Sequence, residues 1–220
     1  AIKIYKMKIL IIHNKYQLNN IGGEDVIYEN ELKYLQKKLG IENVYSYEVS
    51  NEDISKFKLI FEIWFSFKHH KEIKNIVQNN NIDLVHVHNF FPLLTPSVFK
   101  ASKGAGAKVV HTLHNYRLWC ISGLFYRDGY GICELCTKNK FPIKGILNKC
   151  FRKSIVQSIL AQLSFWFYRF TNVFVNIDYF FILRSILKER DNASKKANYF
   201  KINSIVYKYF LLGKKKFFQL

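Results

Sequence analysis

Residues 82–115, "IDLVHVHNFFPLLTPSVFKASKGAGAKVVHTLHN", decide the fold. The apolar run Ile82–Val87 is short and rich in β-branched residues, so it reads as a buried strand rather than a helix. "TPSVFKASKGAG" begins with proline and ends in glycines, the asymmetry of a short helix. Lys108–Leu113 then repeats the apolar run. A strand, a helix and a second strand in so short a span form a βαβ unit, whose crossover makes the two strands parallel.

Working outward, the same alternation continues. Lys8–Ile12 reads as a strand. After a Gln/Asn-rich loop and Gly22-Gly23 comes a helix, with Tyr28, Leu32, Leu35 and Leu39 at 4, 3, 4 spacing and Gly40 as its stop. Val44–Val49 is a weaker strand. Ser55–Gln78 reads as one mostly helical stretch carrying the aromatic patch "FEIWFSF" and ended by Asn79–Asn81. The expected fold is α/β: a Rossmann-like parallel sheet with helices on both faces over residues 7–150, with a cysteine-bearing loop region at 116–150. A basic, aromatic helical tail is expected at 151–220.

Three apolar runs end in the same dipeptide. "KILIIHN" closes on His13 and Asn14, "IDLVHVHN" on His88 and Asn89, and "VVHTLHN" on His114 and Asn115. Ligands of open parallel sheets bind beyond the carboxyl ends of the strands, and imidazoles and amides supply the donors and acceptors that polyhydroxylated or phosphorylated ligands need. His111 is expected in packing, because strand alternation turns it to the other side of the sheet. In "NNIGGEDVIYENEL", Gly22 and Gly23 let backbone approach a ligand at a helix start. Glu24 and Asp25 in the first turn suit the helix dipole and disfavour a fully charged phosphate there.

Composition bounds the rest. Of 220 residues, 49% are hydrophobic, enough for a globular core, and the formal charge is +18. Residues 1–140 carry 19 basic and 13 acidic side chains, residues 141–220 carry 15 and 3, so the surplus lies in the tail. Such a tail suits phosphate backbones, anionic lipid or a phosphorylated substrate, and a bias toward Lys, Asn, Ile, Phe and Tyr also fits an A/T-rich gene. "SIVQSILAQLSFWFY" (154–168) is uncharged but contains two Gln and three Ser and is shorter than the roughly 20 residues a membrane span needs. It is expected as a helix in a core or on a membrane surface. No signal-peptide pattern is visible around "KILII", residues 1–6 before Met7 read as sequence upstream of a natural start or a fragment's edge, and the expected location is the cytoplasm, extending to the inner face of the membrane.

Cys120, Cys133, Cys136 and Cys150 are separated by 12, 2 and 13 residues. In a cytosolic chain this spacing favours metal over disulfide, and four thiolates would hold a structural zinc with no open position for chemistry. Buried free thiols or a redox Cys-x-x-Cys pair are the alternatives.

"GGEDVIYENEL", "DLVHVHNFFPLLTPSVF", "VVHTLHNYRLWCISGLFYRDG" and "CELC" followed by "GILNKC" resemble the N-terminal half of bacterial glycosyltransferases of family 4, the group called glycosyl transferases group 1. The resemblance runs from about Met7 to Cys150, with a looser echo to Asp178-Tyr179-Phe180. It implies a GT-B fold, whose first domain binds acceptor and whose second binds a nucleotide sugar, and retaining transfer of a sugar to a polysaccharide or lipid-linked glycan. It also implies that His114 is the catalytic group reaching toward the transferred sugar, with Asn115 holding its turn and His88, Asn89, Gly22, Gly23 and Glu24 on the acceptor side. The family's donor domain carries two glutamates with seven residues between them. After Asp178 this chain has only Glu189 and Asp191 as carboxylates, so the donor domain is expected to be absent, the C-terminal stretch to be truncated or frameshifted, and this chain to be inactive by itself.

The alternative of another class is a basic nucleic-acid-binding module with a zinc knuckle, in which "NYFKINSIVYKYF" tracks phosphates and stacks bases. It leaves the strand-end His-Asn pairs and the glycine loop unexplained, so nucleic acid is not the expected partner.

Overall fold

The computed structural model of the chain describes residues 7–15, 22–51, 56–137, 141–182 and 216–219. The elements are, in order, β1 (Ile9–Lys15), α1 (Gly23–Leu39), β2 (Val44–Ser50), α2 (Lys56–Glu62), α3 (Phe67–Asn80), β3 (Leu84–Asn89), α4 (Ser97–Gly104), β4 (Lys108–Leu113), β5 (Tyr126–Arg127), β6 (Gly131–Ile132), α5 (Ile143–Leu147), α6 (Ile155–Phe170), β7 (Tyr179–Ile182) and β8 (Lys216–Gln219). The chain divides into two compact units, Ala1–Thr112 with Val173–Phe181, and Leu113–Asn172 with Ile182–Leu220. The division falls between Thr112 and Leu113, before the third His-Asn pair.

The first unit is α/β. β1 pairs parallel with β2 and with β3, and β3 with β4. Five strands in the order β2-β1-β3-β4-β7 make a Rossmann-like parallel sheet flanked by helices. The fifth strand is anchored by Asp178, whose backbone N–H donates to Val109 O and whose carboxylate accepts from Val109 N–H and Lys103 Nζ, each within 2.8 Å. Burial works to raise the Asp178 carboxyl, but the Lys103 and Val109 hydrogen bonds outweigh it and hold it below the usual range.

Strand alternation sorts the two faces of the sheet. Leu10, Ile12, Val85, Val87, Val109 and His111 belong to one, and all are buried. On the other, Ile9, Ile11 and Val44 pack with Tyr28, Leu32, Leu35 and Leu39 of α1. α1 ends at Gly40, whose φ of 92° is a conformation that residues with a side chain rarely adopt.

Boundaries differ from the sequence reading in several places, and β1 runs on through His13 and Asn14 to Lys15. The stretch expected as one helix is two, because the Ser66 hydroxyl caps α3 by accepting from His69 N–H while Ser66 N–H donates to Thr95 Oγ1; Ser55 itself lies outside the described residues. β3 also starts two residues later than Ile82 and runs to Asn89. His88-Asn89 thus completes the strand and does not follow it.

In the second unit, Tyr116, Cys120 and Phe125 form a small core with Trp119 and Ile132 against it. α6 starts at a Ser154 cap that accepts from Gln157 N–H. It buries Ala161, Phe165 and Tyr168 and leaves Val156, Ile159, Trp166 and Phe170 exposed. Among the described residues no helix is long and apolar enough to cross a membrane. Of the stretch 151–220, expected as a helical tail, the described residues show α6, a short 3-10 turn at Val173–Asn176 and then strand β7; the last described element is strand β8, and residues 183–215, with Glu189, Asp191 and most of the basic aromatic stretch, lie outside the described residues.

Candidate functional site

The sheet in the first unit reverses its strand order between β1 and β3. At the carboxyl ends of these two strands sit His13, Asn14, His88 and Asn89, all buried, with exposures of 0, 0, 2 and 6%. The amides hold the loops that leave the sheet. Asn89 Nδ2 donates to Asn14 O and its Oδ1 accepts from Phe91 N–H, while Asn14 Oδ1 accepts from Leu93 N–H and its Nδ2 donates to Asn51 Oδ1, all at 2.9–3.1 Å. His13 Nε2 donates to Asp25 Oδ1 at 2.6 Å, and Asp25 Oδ2 accepts from Gly22 N–H at 2.7 Å. One carboxylate therefore joins the end of β1 to the start of α1. It occupies the Gly22 N–H, a donor that the glycine loop would otherwise offer to a ligand. Gly23 is exposed, and Gly22 and Glu24 are half-buried.

Under α1 the apolar layer gives way to polar groups as the strands approach their carboxyl ends. His86 Nδ1 lies 2.6 Å from Glu31 Oε1, and His88 Nε2 lies 3.2 Å from Glu31 Oε2. The Thr112 hydroxyl lies 2.7 Å from His86 Nε2. With His86 neutral, Thr112 donates to Nε2 and Nδ1–H donates to the carboxylate, while His88 Nε2 stands within ion-pair distance of the other carboxylate oxygen. Burial works to raise the Glu31 carboxyl, but the two imidazole hydrogen bonds outweigh it and hold it well below the ordinary range. Burial also pushes His88 down to about 4. Tyr28, stacked on His13 with ring centroids 4.7 Å apart, donates to Glu48.

His111 lies in packing: its ring meets Phe90, Phe99 and Phe180, and its Nδ1 is 2.8 Å from Val87 O. Burial takes its pKa down to about 3.

His114 and Asn115 belong to the second unit, both half-buried. Asn115 Oδ1 accepts from Arg117 N–H at 3.0 Å and so shapes the turn. Gly123, at φ 78°, passes so close that a Cβ there would stand 3.3 Å from the Asn115 side chain.

The four cysteines are free thiols, Cys120 and Cys136 buried and Cys133 and Cys150 half-buried. Cys136 is pushed up to about 12, first by burial and then by the other three thiols. Among the described residues, the group of metal-binding side chains with all ligand atoms within 4.8 Å of one another is Glu31, His86 and His88; the cysteines form no such group. Glu31 and His86 were not singled out from sequence, although His86-x-His88 on a strand places both rings on one face. No family model, no curated protein and no solved structure matches the chain.

Proposed function

We propose that this chain is the acceptor-binding half of a retaining glycosyltransferase that moves a sugar from a nucleotide sugar to a polysaccharide or lipid-linked glycan. The observation that carries the reading is the position of the polar groups: β1 and β3 flank the reversal of strand order, and the crevice beyond the carboxyl ends there is where open parallel sheets bind ligands. In this reading the buried His88 and Asn89 act from beneath, fixing the strand ends and the 90–93 turn. Gly22, Gly23 and Glu24, nearer the surface, meet the acceptor. His114 is the group that hydrogen-bonds the transferred sugar, with Asn115 holding its turn. The nucleotide sugar is the task of a donor domain. The exposed Val156, Ile159, Trp166 and Phe170 of α6 suit a membrane surface at which lipid-linked acceptors reside.

The test is a transfer assay in which the chain is joined to a donor domain of the same family. Labelled sugar should reach a glycan, with retained anomeric configuration, only when both halves are present. Transfer by neither arrangement, with any acceptor glycan, contradicts the reading.

A structural zinc on Cys120, Cys133, Cys136 and Cys150 belongs to the same proposal. Thiolate chemistry suits the ion, and binding requires the four sulfurs to close in around it. Protein purified without chelator is expected to carry about one zinc bound by thiolates, lost when Cys133 and Cys136 are both changed to Ser. Four titratable thiols and no thiolate-bound metal would overturn it.

A further inference from the structure

We propose that Glu31, His86 and His88 form a second, sulfur-free site for a divalent transition-metal ion, zinc foremost, which ties α1 to the sheet. Four observations carry it. His86 and His88 stand two apart on β3, so both rings project from one face toward α1, and their centroids are 4.4 Å apart. Glu31 comes down from α1 with one carboxylate oxygen on each imidazole, and the three ligand atoms lie within 4.8 Å of one another. Two neutral imidazoles and one carboxylate are a donor set that zinc accepts, with a fourth position left for water. The remaining ring nitrogen of His86 is engaged by Thr112 Oγ1 at 2.7 Å, the kind of outer partner that fixes a ligating imidazole.

The geometry requires a small opening. Zinc sits roughly 2.0–2.2 Å from N and O ligands, and tetrahedral ligands at such distances stand somewhat farther apart than the 2.6 Å between His86 Nδ1 and Glu31 Oε1. The Glu31 side chain is 28% exposed against 5% for His86 and 0% for His88, so the carboxylate is the part free to yield and marks the side of entry. Protons balance without release. Coordination uses the His86 Nδ1 lone pair, so the proton on Nδ1 passes to Nε2, where Thr112 Oγ1 changes from donor to acceptor. His88, neutral as well, coordinates through Nε2 in its Nδ1–H tautomer.

The test is titration of the whole chain, cleared of metal, with Co²⁺ and Zn²⁺ at neutral pH, read by optical spectroscopy and calorimetry. The expected result is one ion whose cobalt spectrum has visible ligand-field bands but no sulfur-to-cobalt charge transfer, in addition to any thiolate-bound ion. Glu31→Gln should abolish that sulfur-free component, and Thr112→Val should weaken it about 10-fold, the range for losing a partner behind a ligand. Circular dichroism of both variants shows whether they are folded. If Glu31→Gln is not, Thr112→Val, which leaves every ligand in place, carries the test. Cobalt bound only with the sulfur signature, no cobalt bound at all, or a sulfur-free site indifferent to both changes overturns the proposal.

Discussion

Lowering the pH from 7 to 5 should cost the folded state on the order of 2 kcal/mol through His111 alone. The folded pKa of this buried ring is about 3, against an ordinary value of 6.5, so the fold holds it neutral while the unfolded chain takes up a proton. A depressed imidazole contributes stability that is complete above about pH 6.5 and is lost steadily as the pH falls toward the folded value. His69, lowered chiefly by burial, acts in the same direction. Thermal unfolding followed from pH 7.5 to 4.5, with chelator present, should show a falling midpoint that begins near pH 6.5, well above the range in which ordinary carboxylates titrate. His111→Asn keeps a donor near Val87 O and removes the titration, so it should reduce the slope, leaving the part that His88, pushed down to about 4, and His69 contribute. A midpoint independent of pH down to 5 would mean that His111 is hydrated or paired in a way this packing does not provide.

His114→Ala in the two-domain enzyme is expected to lower turnover on the order of 10²-fold, with a smaller change in acceptor KM. Retaining transfer asks little of a strong base, since the departing nucleotide diphosphate can take the acceptor's proton. It does need a positioned donor that orients the sugar and supports charge as an oxocarbenium-like state develops. A loss confined to kcat identifies an interaction made in the transition state, whereas an equal rise in KM would mean uniform binding. Near-full activity of this variant, with activity abolished by His13→Ala or His88→Ala, would move the chemistry away from His114. Because those two rings are buried in the network under α1, their replacement must be judged on folded protein.

β1, β3 and β4 were legible because each is a short apolar run between turn signals, and buried parallel strands read as near-continuous hydrophobic stretches. The break between α2 and α3 was not, because Ser66 owes its position to Thr95, which is 29 residues away. β7 escaped notice for a related reason: its four residues are a weak signal, and its anchor Asp178 bonds to Val109 and Lys103, 69 and 75 residues earlier. The strand-end His-Asn pairs were visible as a repeat, but not their burial. Asn14 and Asn89 meet across 75 residues, and only folding shows that their amides are spent on backbone. The polar layer under α1 was half legible. His86-x-His88 announces one face of a strand, while Glu31, 55 residues before His86, looks in sequence like one more solvated acid on an amphipathic helix.

Amide chemical-shift mapping of the labelled chain tests acceptor binding most directly, with titrations of acceptor glycan fragments, a nucleotide sugar and a single-stranded oligonucleotide. The account predicts that glycans shift Gly22, Gly23 and Glu24, that the nucleotide sugar moves none of these three, and that oligonucleotides bind only weakly. Oligonucleotide binding that falls steeply with salt, with no glycan moving those amides, would contradict it.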